Sequence, residues 1–289
     1  MMFKIVFVAM ALSSELYASC CAGASSAGIG RLRLHERAYV AFINDAHRVI
    51  GSFDREARFH SGQAPHLPHW RFNHELQAMV RVFDYFQPFI KLPARTQLSA
   101  IRVGSNRADA TLGAHMPLFD EDVFASWPAL SLTTALKLPT GVADAQDAEN
   151  ITSMGLYELS LSLMIQKTFS KLTTAMGYGL SFSPAIFMKN EFHHGIAHTP
   201  MFALSFLPHE LGHMQLTLAP SFFSNARVNG HALKDSSRRQ LLASIAYSLM
   251  IHSHLTLTTA VGAHLPIAII AKNSESDIFV QFGIRMGVF

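Results

Sequence analysis

The sequence predicts an all-β protein, a transmembrane antiparallel up-and-down β-barrel of about twelve strands, on the strength of three observations. Apolar residues make up 49% of the 289-residue chain and charged residues only 15%, against ~25% charged in typical soluble domains. Beyond the N-terminus no run of about 18 apolar residues occurs, which argues against helical membrane spans. Segment after segment instead alternates apolar with small or polar residues at a period of two, the rhythm of strands whose successive side chains point to opposite faces. In a transmembrane barrel the oily face is the outer one.

The C-terminal third carries the clearest alternation. In Arg239 to Ile251, Leu241, Ala243, Ile245, Tyr247 and Leu249 oppose Gln240, Leu242, Ser244, Ala246 and Ser248. From Leu255 to Leu265, Leu255, Leu257, Val261 and Ala263 oppose Thr256, Thr258, Ala260, Gly262 and His264. From Ile278 the even positions Ile278, Val280, Phe282, Ile284 and Met286 oppose Gln281, Gly283, Arg285 and Gly287. Phe289 shares the parity of Arg285 and Gly287, whereas the terminal aromatic of a typical outer-membrane barrel shares the apolar parity.

Earlier in the chain, Met1 to Lys4, the apolar Ile5 to Leu12 and the small residues to Ser19 read as a secretory signal peptide. Cleavage falls near Ala18 to Cys21, giving residues 1–20 as leader and 21–289 as barrel. Tyr17-Ala18-Ser19-Cys20 is similar to a lipoprotein processing site, with Tyr17 a poor residue there. Cys20 and Cys21 are the chain's two cysteines, so no disulfide framework or cysteine metal site is expected.

The first strand is expected at Arg31 to Asn44, with Leu32, Leu34, Ala38, Val40 and Phe42 on one face and Glu36 near a rim. Asp45 to Asn73 lacks sustained periodicity and reads as a long loop. Further strands follow at His74 to Phe86, Lys91 to Val103 (with a bulge or register shift near Arg102), Arg107 to Leu118, Ala129 to Leu138, Leu156 to Gln166 and Leu172 to Phe182. Asp120 to Ser126 is a turn ahead of an interfacial Trp127, Gly141 to Asn150 an acidic loop, and Pro184 to Pro200 a long polar loop. Met201 to Leu207 and Leu211 to Phe222 then complete a count whose even number puts both termini on the periplasmic side. Arg or Lys turned toward lipid costs about 2–4 kcal/mol at mid-bilayer, so Arg81, Asp109, Lys137, Glu158, Gln166 and Arg285, on the less apolar parity, are the candidates to line the lumen. The alternative fold is a soluble β-sandwich, disfavoured because its wet face would carry many more Lys and Glu.

One motif points elsewhere. His209-Glu210-Leu211-Gly212-His213 matches H-E-x-x-H, which on a helix places two histidines on one face for zinc, with the glutamate as base. Pro208, Gly212 and the period-two pattern on both sides make a tight turn between strands the expected structure, and no metal, cofactor or catalytic residue is expected. The remaining histidine groups, His193-His194 with His198 and His252 with His254, read as solvated. A formal charge of +3 without a long basic run gives no sign of nucleic-acid binding.

From Trp127-Pro128-Ala129-Leu130 through Lys137-Leu138-Pro139-Thr140-Gly141 the chain resembles the outer-membrane barrel family named for the phenol meta-cleavage pathway, described as transporters. The likeness runs from about Arg102 to Phe289, and Cys20-Cys21-Ala22-Gly23 resembles the start of exported barrels of this kind. The resemblance implies export by a cleaved leader, insertion by the barrel-insertion machinery into outer-membrane lipid, and passage of small, even hydrophobic, molecules. It implies no catalytic residues. A passive channel or small-molecule transporter is therefore the expected function, with a lumen partly plugged by the N-terminal segment or the loop around Gly62. The alternatives are a surface-interaction barrel acting through its long loops and a zinc hydrolase.

Overall fold

The computed structural model describes residues 32, 35–54, 56–61, 69–99, 103–121, 127–142, 156–183, 192–193, 195–209, 211–228, 231–265 and 273–289. The leader and its cleavage site lie outside these residues. In chain order the strands are β1 (Ala38–Phe53), β2 (Phe59–Ser61), β3 (Trp70–Val80), β4 (Gln87–Leu98), β5 (Val103–Arg107), β6 (Thr111–Phe119), β7 (Ala129–Lys137), β8 (Glu158–Phe169) and β9 (Leu172–Phe182). They continue with β10 (Phe192–His193), β11 (Ala197–His209), β12 (Gly212–Phe223), β13 (Arg227–Val228), β14 (His231–Ala232), β15 (Arg238–His252), β16 (Leu255–Leu265) and β17 (Glu275–Val288).

Every neighbouring pair in the main sheet is antiparallel, and β17 pairs back onto β1 from Ala38↔Val288 to Ser52↔Glu275. The sheet is thus a closed barrel. Its twelve staves are β1, β3, β4, β5 with β6, β7, β8, β9, β11, β12, β15, β16 and β17, since β5 and β6 both pair with β4 in succession. Closure matters because an unpaired backbone amide or carbonyl in hydrocarbon costs several kcal/mol, and only a sheet without edges leaves none.

Connections alternate in length. At one rim β8–β9, β11–β12 and β15–β16 turn within two residues. At the other rim lie the long connections, including 138–157 and 183–196, and the small sheet β10-β13-β14. Both β1 and β17 meet the short-turn rim with their outer ends, as an even number of staves requires.

The two faces differ as the alternation predicts. Along β17, Ile278, Val280, Phe282, Ile284, Met286 and Val288 are exposed, while Phe279, Gln281, Gly283 and Gly287 between them are buried. Register carries this around the wall: Val280 pairs with Val261, and Val261 with Ile245, each exposed. Large apolar side chains on the outward parity form a band around the barrel, exposed on every stave but β7, where Leu130, Leu132 and Leu136 are half-buried, while Trp127, 74% exposed, stands at the short-turn rim.

Aromatic rings lie across cross-strand glycines on the inner face. A Cβ on Gly113 would strike the ring of Phe89, its partner across β4–β6, and one on Gly262 would strike Phe279, its partner across β16–β17. The missing side chain is what lets each ring lie flat on the wall.

Several expected segments differ, among them the strands expected at His74 to Phe86 and Lys91 to Val103, which run as Trp70–Val80 and Gln87–Leu98. The expected first strand begins later and ends later: β1 opens at Ala38, runs to Phe53, and takes in Asp45 to Phe53 from the expected loop. Its outward parity mixes polar Asn44, Arg48 and Ser52 with Ala46 and Ile50, and the register shifts between Val49 and Gly51, so no sustained apolar parity marks it. Leu32 is buried against Tyr39, Ala41, Met79 and Phe89 rather than turned to lipid. Residues 197–200 of the expected Pro184–Pro200 loop belong to β11. Pro200 is accommodated there as an outward residue opposite Tyr178 of β9.

At the short-turn rim Glu36, 1% exposed, pairs with Arg285, whose guanidinium also lies 4.1 Å over the ring of Tyr39. Breaking a buried pair strands its partner, at about 3–5 kcal/mol. Glu36→Leu is therefore expected to lower barrel stability by roughly that amount in urea unfolding from liposomes, and a change below ~1 kcal/mol would show the pair to be solvated. Val261→Arg, on the outward band, is expected to cost about 2–4 kcal/mol in the same assay, and Thr258→Arg, on the inner parity, clearly less.

Candidate functional site

The inner face is the surface on which this chain places polar chemistry, and it is divided lengthwise. The arc from β8 to β15 contributes Met164, Ala175, Met201, Ala203, Ala219 and Leu242, which cluster with Phe279 of β17. All occupy the inner parity, where Gln166, Thr173, Ser205, Gln215 and Ser244 alternate with them, so this wall of the lumen is largely uncharged.

The arc from β16 through β17 and β1 to β4 is charged. His47 of β1 lies 3.2 Å from Asp45 and 3.2 Å from Asp277 of β17, and stacks on Phe279 at 5.1 Å. His264 of β16 reaches the other oxygen of Asp277 at 2.7 Å. Further round, Arg71 pairs with Glu275, Arg95 donates through Nε to Asn73 at 2.8 Å, and Lys91 lies 3.6 Å from Glu75. Alternation in β1 carries Tyr39, Ala41, Ile43, Asp45 and His47 onto this face, which is why two side chains expected in a loop lie in the lumen wall.

Toward the long-loop rim the lumen opens into a cavity of about 390 Å³, with Asp109, Lys137, Glu158, Phe182, Phe223 and Arg238 among its lining residues. Lys137 donates to Glu158 at 3.3 Å across β7–β8. Asp109 sits in the break between β5 and β6 and accepts from the Gly141 amide at 3.1 Å, while the Thr140 hydroxyl accepts from the Ala110 amide at 2.8 Å and donates to the Ala108 carbonyl at 3.1 Å. The Lys137-to-Gly141 segment therefore staples the interrupted stave to its neighbour, a structural reason for that residue pattern.

The six candidates thus separate. Asp109, Lys137 and Glu158 come together around the cavity. The other three lie toward the opposite rim: Arg285 with Glu36, Arg81 3.6 Å from Asp84 with its amide donating to the Arg37 carbonyl, and Gln166, buried beside the last turn of β8. Sequence reasoning passed over Asp45, His47, Arg71, Arg95, Arg238, His264 and Asp277. The available signal was parity, since each continues the inner row of a neighbouring strand. Beyond the barrel wall, in the loop after β1, His60 beside Asp54, with the Arg58 amide, holds that carboxyl below the usual carboxylate range.

The H-E-x-x-H segment forms the two-residue turn between β11 and β12, with His209 paired to Gly212. His209 Nε2 meets the hydroxyl of Tyr247 at 2.8 Å on the outer face, whereas His213 belongs to the inner parity. The two imidazoles stand on opposite sides of the wall and cannot share a metal ion. Glu210 lies outside the described residues. Phe289 follows the last strand and packs edge-on against His254 of the β15–β16 turn at 4.8 Å, while Arg285 and Gly287 keep the inner parity.

No family model matches the chain, and no curated sequence matches it. Among solved structures, the COG4313 outer membrane channel from Pseudomonas putida F1 superposes with a TM-score of 0.71 at 13% identity, over 89% of this chain and 97% of that one. The NanC porin superposes with a TM-score of 0.52 at 4% identity, over 86% of this chain and 100% of that one. At these identities the likeness is one of fold, and it extends over nearly the whole of both partners. By fold, then, the chain is a twelve-stranded outer-membrane β-barrel of the architecture shared with the COG4313 channel.

Proposed function

We infer that the protein is a passive channel or transporter for small molecules in the bacterial outer membrane, reached by export through a cleaved leader. The observation that carries this reading is the closed wall itself, apolar outside and divided inside into a largely uncharged arc and a charged arc. A barrel needs an oily exterior to sit in lipid, but nothing in membrane insertion requires a row of Arg, Asp, His and Glu on its inner face. Such a row creates a local field along the axis, and lining charge and width are what set selectivity in a pore. The structural likeness to a protein called an outer membrane channel, and to a porin, supports the same reading.

Orientation follows from the topology: the short-turn rim with both ends of the barrel faces the periplasm, and the long-loop rim with its cavity faces outward. Solutes would enter at the cavity beside Lys137, Glu158 and Asp109, pass the Phe279 level between the two arcs, and leave past Arg81, Gln166 and Arg285. The narrow interior of a twelve-stave barrel, with Leu32 and Glu36 folded into its inner end, restricts passage to small molecules.

Purified protein that shows heat-modifiable migration is expected to give discrete conductance steps in planar bilayers. Asp277→Asn and Arg95→Gln are expected to shift its cation-to-anion permeability ratio in opposite directions, toward anions and cations respectively. A folded barrel that never passes ions or solutes would sink the channel reading.

A further inference from the structure

The long-loop cavity has an unequal distribution of satisfied charge. Lys137 has Glu158, and Asp109 has the Gly141 amide. The neutral rim is satisfied from within: Asn273 donates to the Asp235 and Ser237 carbonyls at 2.7 and 2.8 Å, Ser236 bridges the Ala226 amide and the Leu233 carbonyl, and Ser224 accepts from the Ile196 amide. Arg238 differs. Its guanidinium donates to the side-chain carbonyl of Gln240 at 2.7 Å and lies 5.6 Å over the ring of Phe223, both neutral, and among the described residues no carboxylate stands within ion-pair distance. One of its five donors is taken up by Gln240, and Arg238 is exposed and lines the cavity.

The remaining wall is largely apolar, with Leu156, Phe182, Phe223 and Leu233 facing the same space. A planar guanidinium matches a carboxylate bidentately, and an apolar wall beside it favours a ligand that carries hydrocarbon next to that carboxylate. Its size falls in the range of small-molecule pockets, about 300–1,000 Å³. Glu158 and Asp109 on the opposite side disfavour a second negative charge. Inward of the cavity Glu275, Arg71 and Asp277 lie within longer electrostatic reach of Arg238, and Arg71 is itself paired to Glu275.

We propose that this cavity is a binding station for small monocarboxylic acids with a compact apolar body, whose carboxylate is held by Arg238 and whose body lies against Phe182, Phe223 and Leu233. The proposal rests on the channel reading for its role in passage, but the site itself can be tested apart from conduction.

The probe is cyclohexanecarboxylate, with cyclohexanecarboxamide as its neutral counterpart and acetate as a carboxylate without a body. In detergent, isothermal titration of the full-length folded barrel is expected to show the carboxylate binding on the order of tenfold more tightly than the carboxamide or acetate, one tenfold step being ~1.4 kcal/mol. Arg238→Gln, confirmed folded by heat-modifiable migration, is expected to remove that preference while leaving carboxamide binding in place. In bilayers the carboxylate is expected to reduce open-channel current in the same order of potency. Equal binding of carboxylate and carboxamide by the unaltered protein overturns the proposal without any variant, as does an undiminished preference in Arg238→Gln. Carboxylate-selective binding in a barrel that never conducts would uphold the site and overturn only the channel reading.

Discussion

The structure depends on one requirement: in hydrocarbon, every backbone amide and carbonyl must find its partner within the protein. Antiparallel pairing around twelve staves meets it only if the first and last strands join. The β1–β17 seam does so over most of the length of both, and it is reinforced on its inner side by the Arg285 guanidinium, which lies on Tyr39 and reaches Glu36 just ahead of β1. The same seam carries the Asp45–His47–Asp277–His264 cluster nearer the other rim. Polar side chains thus tie the closing pair together from within, where outward-facing residues must stay apolar.

Closure by alternation has a consequence for the interior. Because every inward side chain is matched to an outward one, the chain can vary its lumen without disturbing its fit to lipid. It uses that freedom unevenly. Small side chains and methionines line the middle of β8, β9, β11 and β12, while β1, β3, β4 and β17 carry most of the paired ionisable groups. Inner glycines at Gly113 and Gly262 make room for Phe89 and Phe279, which narrow the interior from the wall inward. A solute passing along such a tube meets methionine, small and uncharged polar side chains on one side and charge on the other.

Much of this was legible in the sequence, for a definite reason. Where a stave crosses lipid, its outer parity must be apolar, and β9 and β16 show the boundaries Leu172–Phe182 and Leu255–Leu265 that alternation alone predicts. Where a stave leaves the hydrocarbon the outer parity is free to be polar, and the signal vanishes: Asp45 to Phe53 of β1 reads as loop for that reason, while Trp70 to Asn73 of β3 offers only Trp70 and Phe72 on the outer parity, too short a run to show a period. A residue at the mouth is equally ambiguous. Leu32 looks lipid-facing by parity, yet it precedes the first strand and is buried with Tyr39 and Met79. The large apolar residues of the interior, Met164, Leu242 and Phe279, sit among Ser, Gln and Gly on the inner parity, and only the closed register shows that they meet. Arg238 follows the inner parity of β15, but that it lines the cavity beside Phe223 shows only in the assembled barrel.

The central claim is that alternate residues of each stave face lipid and lumen, and spin-label scanning of β16 measures it most directly. Single cysteines at positions 256 to 263, in protein lacking Cys20 and Cys21 and reconstituted in lipid, would be tested for collision with oxygen, which concentrates in hydrocarbon, and with a water-soluble nickel chelate. The account predicts a period of two, with oxygen contact peaking at Leu257, Thr259, Val261 and Ala263 and falling at Thr256, Thr258, Ala260 and Gly262. Oxygen accessibility that does not alternate, or that peaks on the threonine-glycine parity, would contradict it.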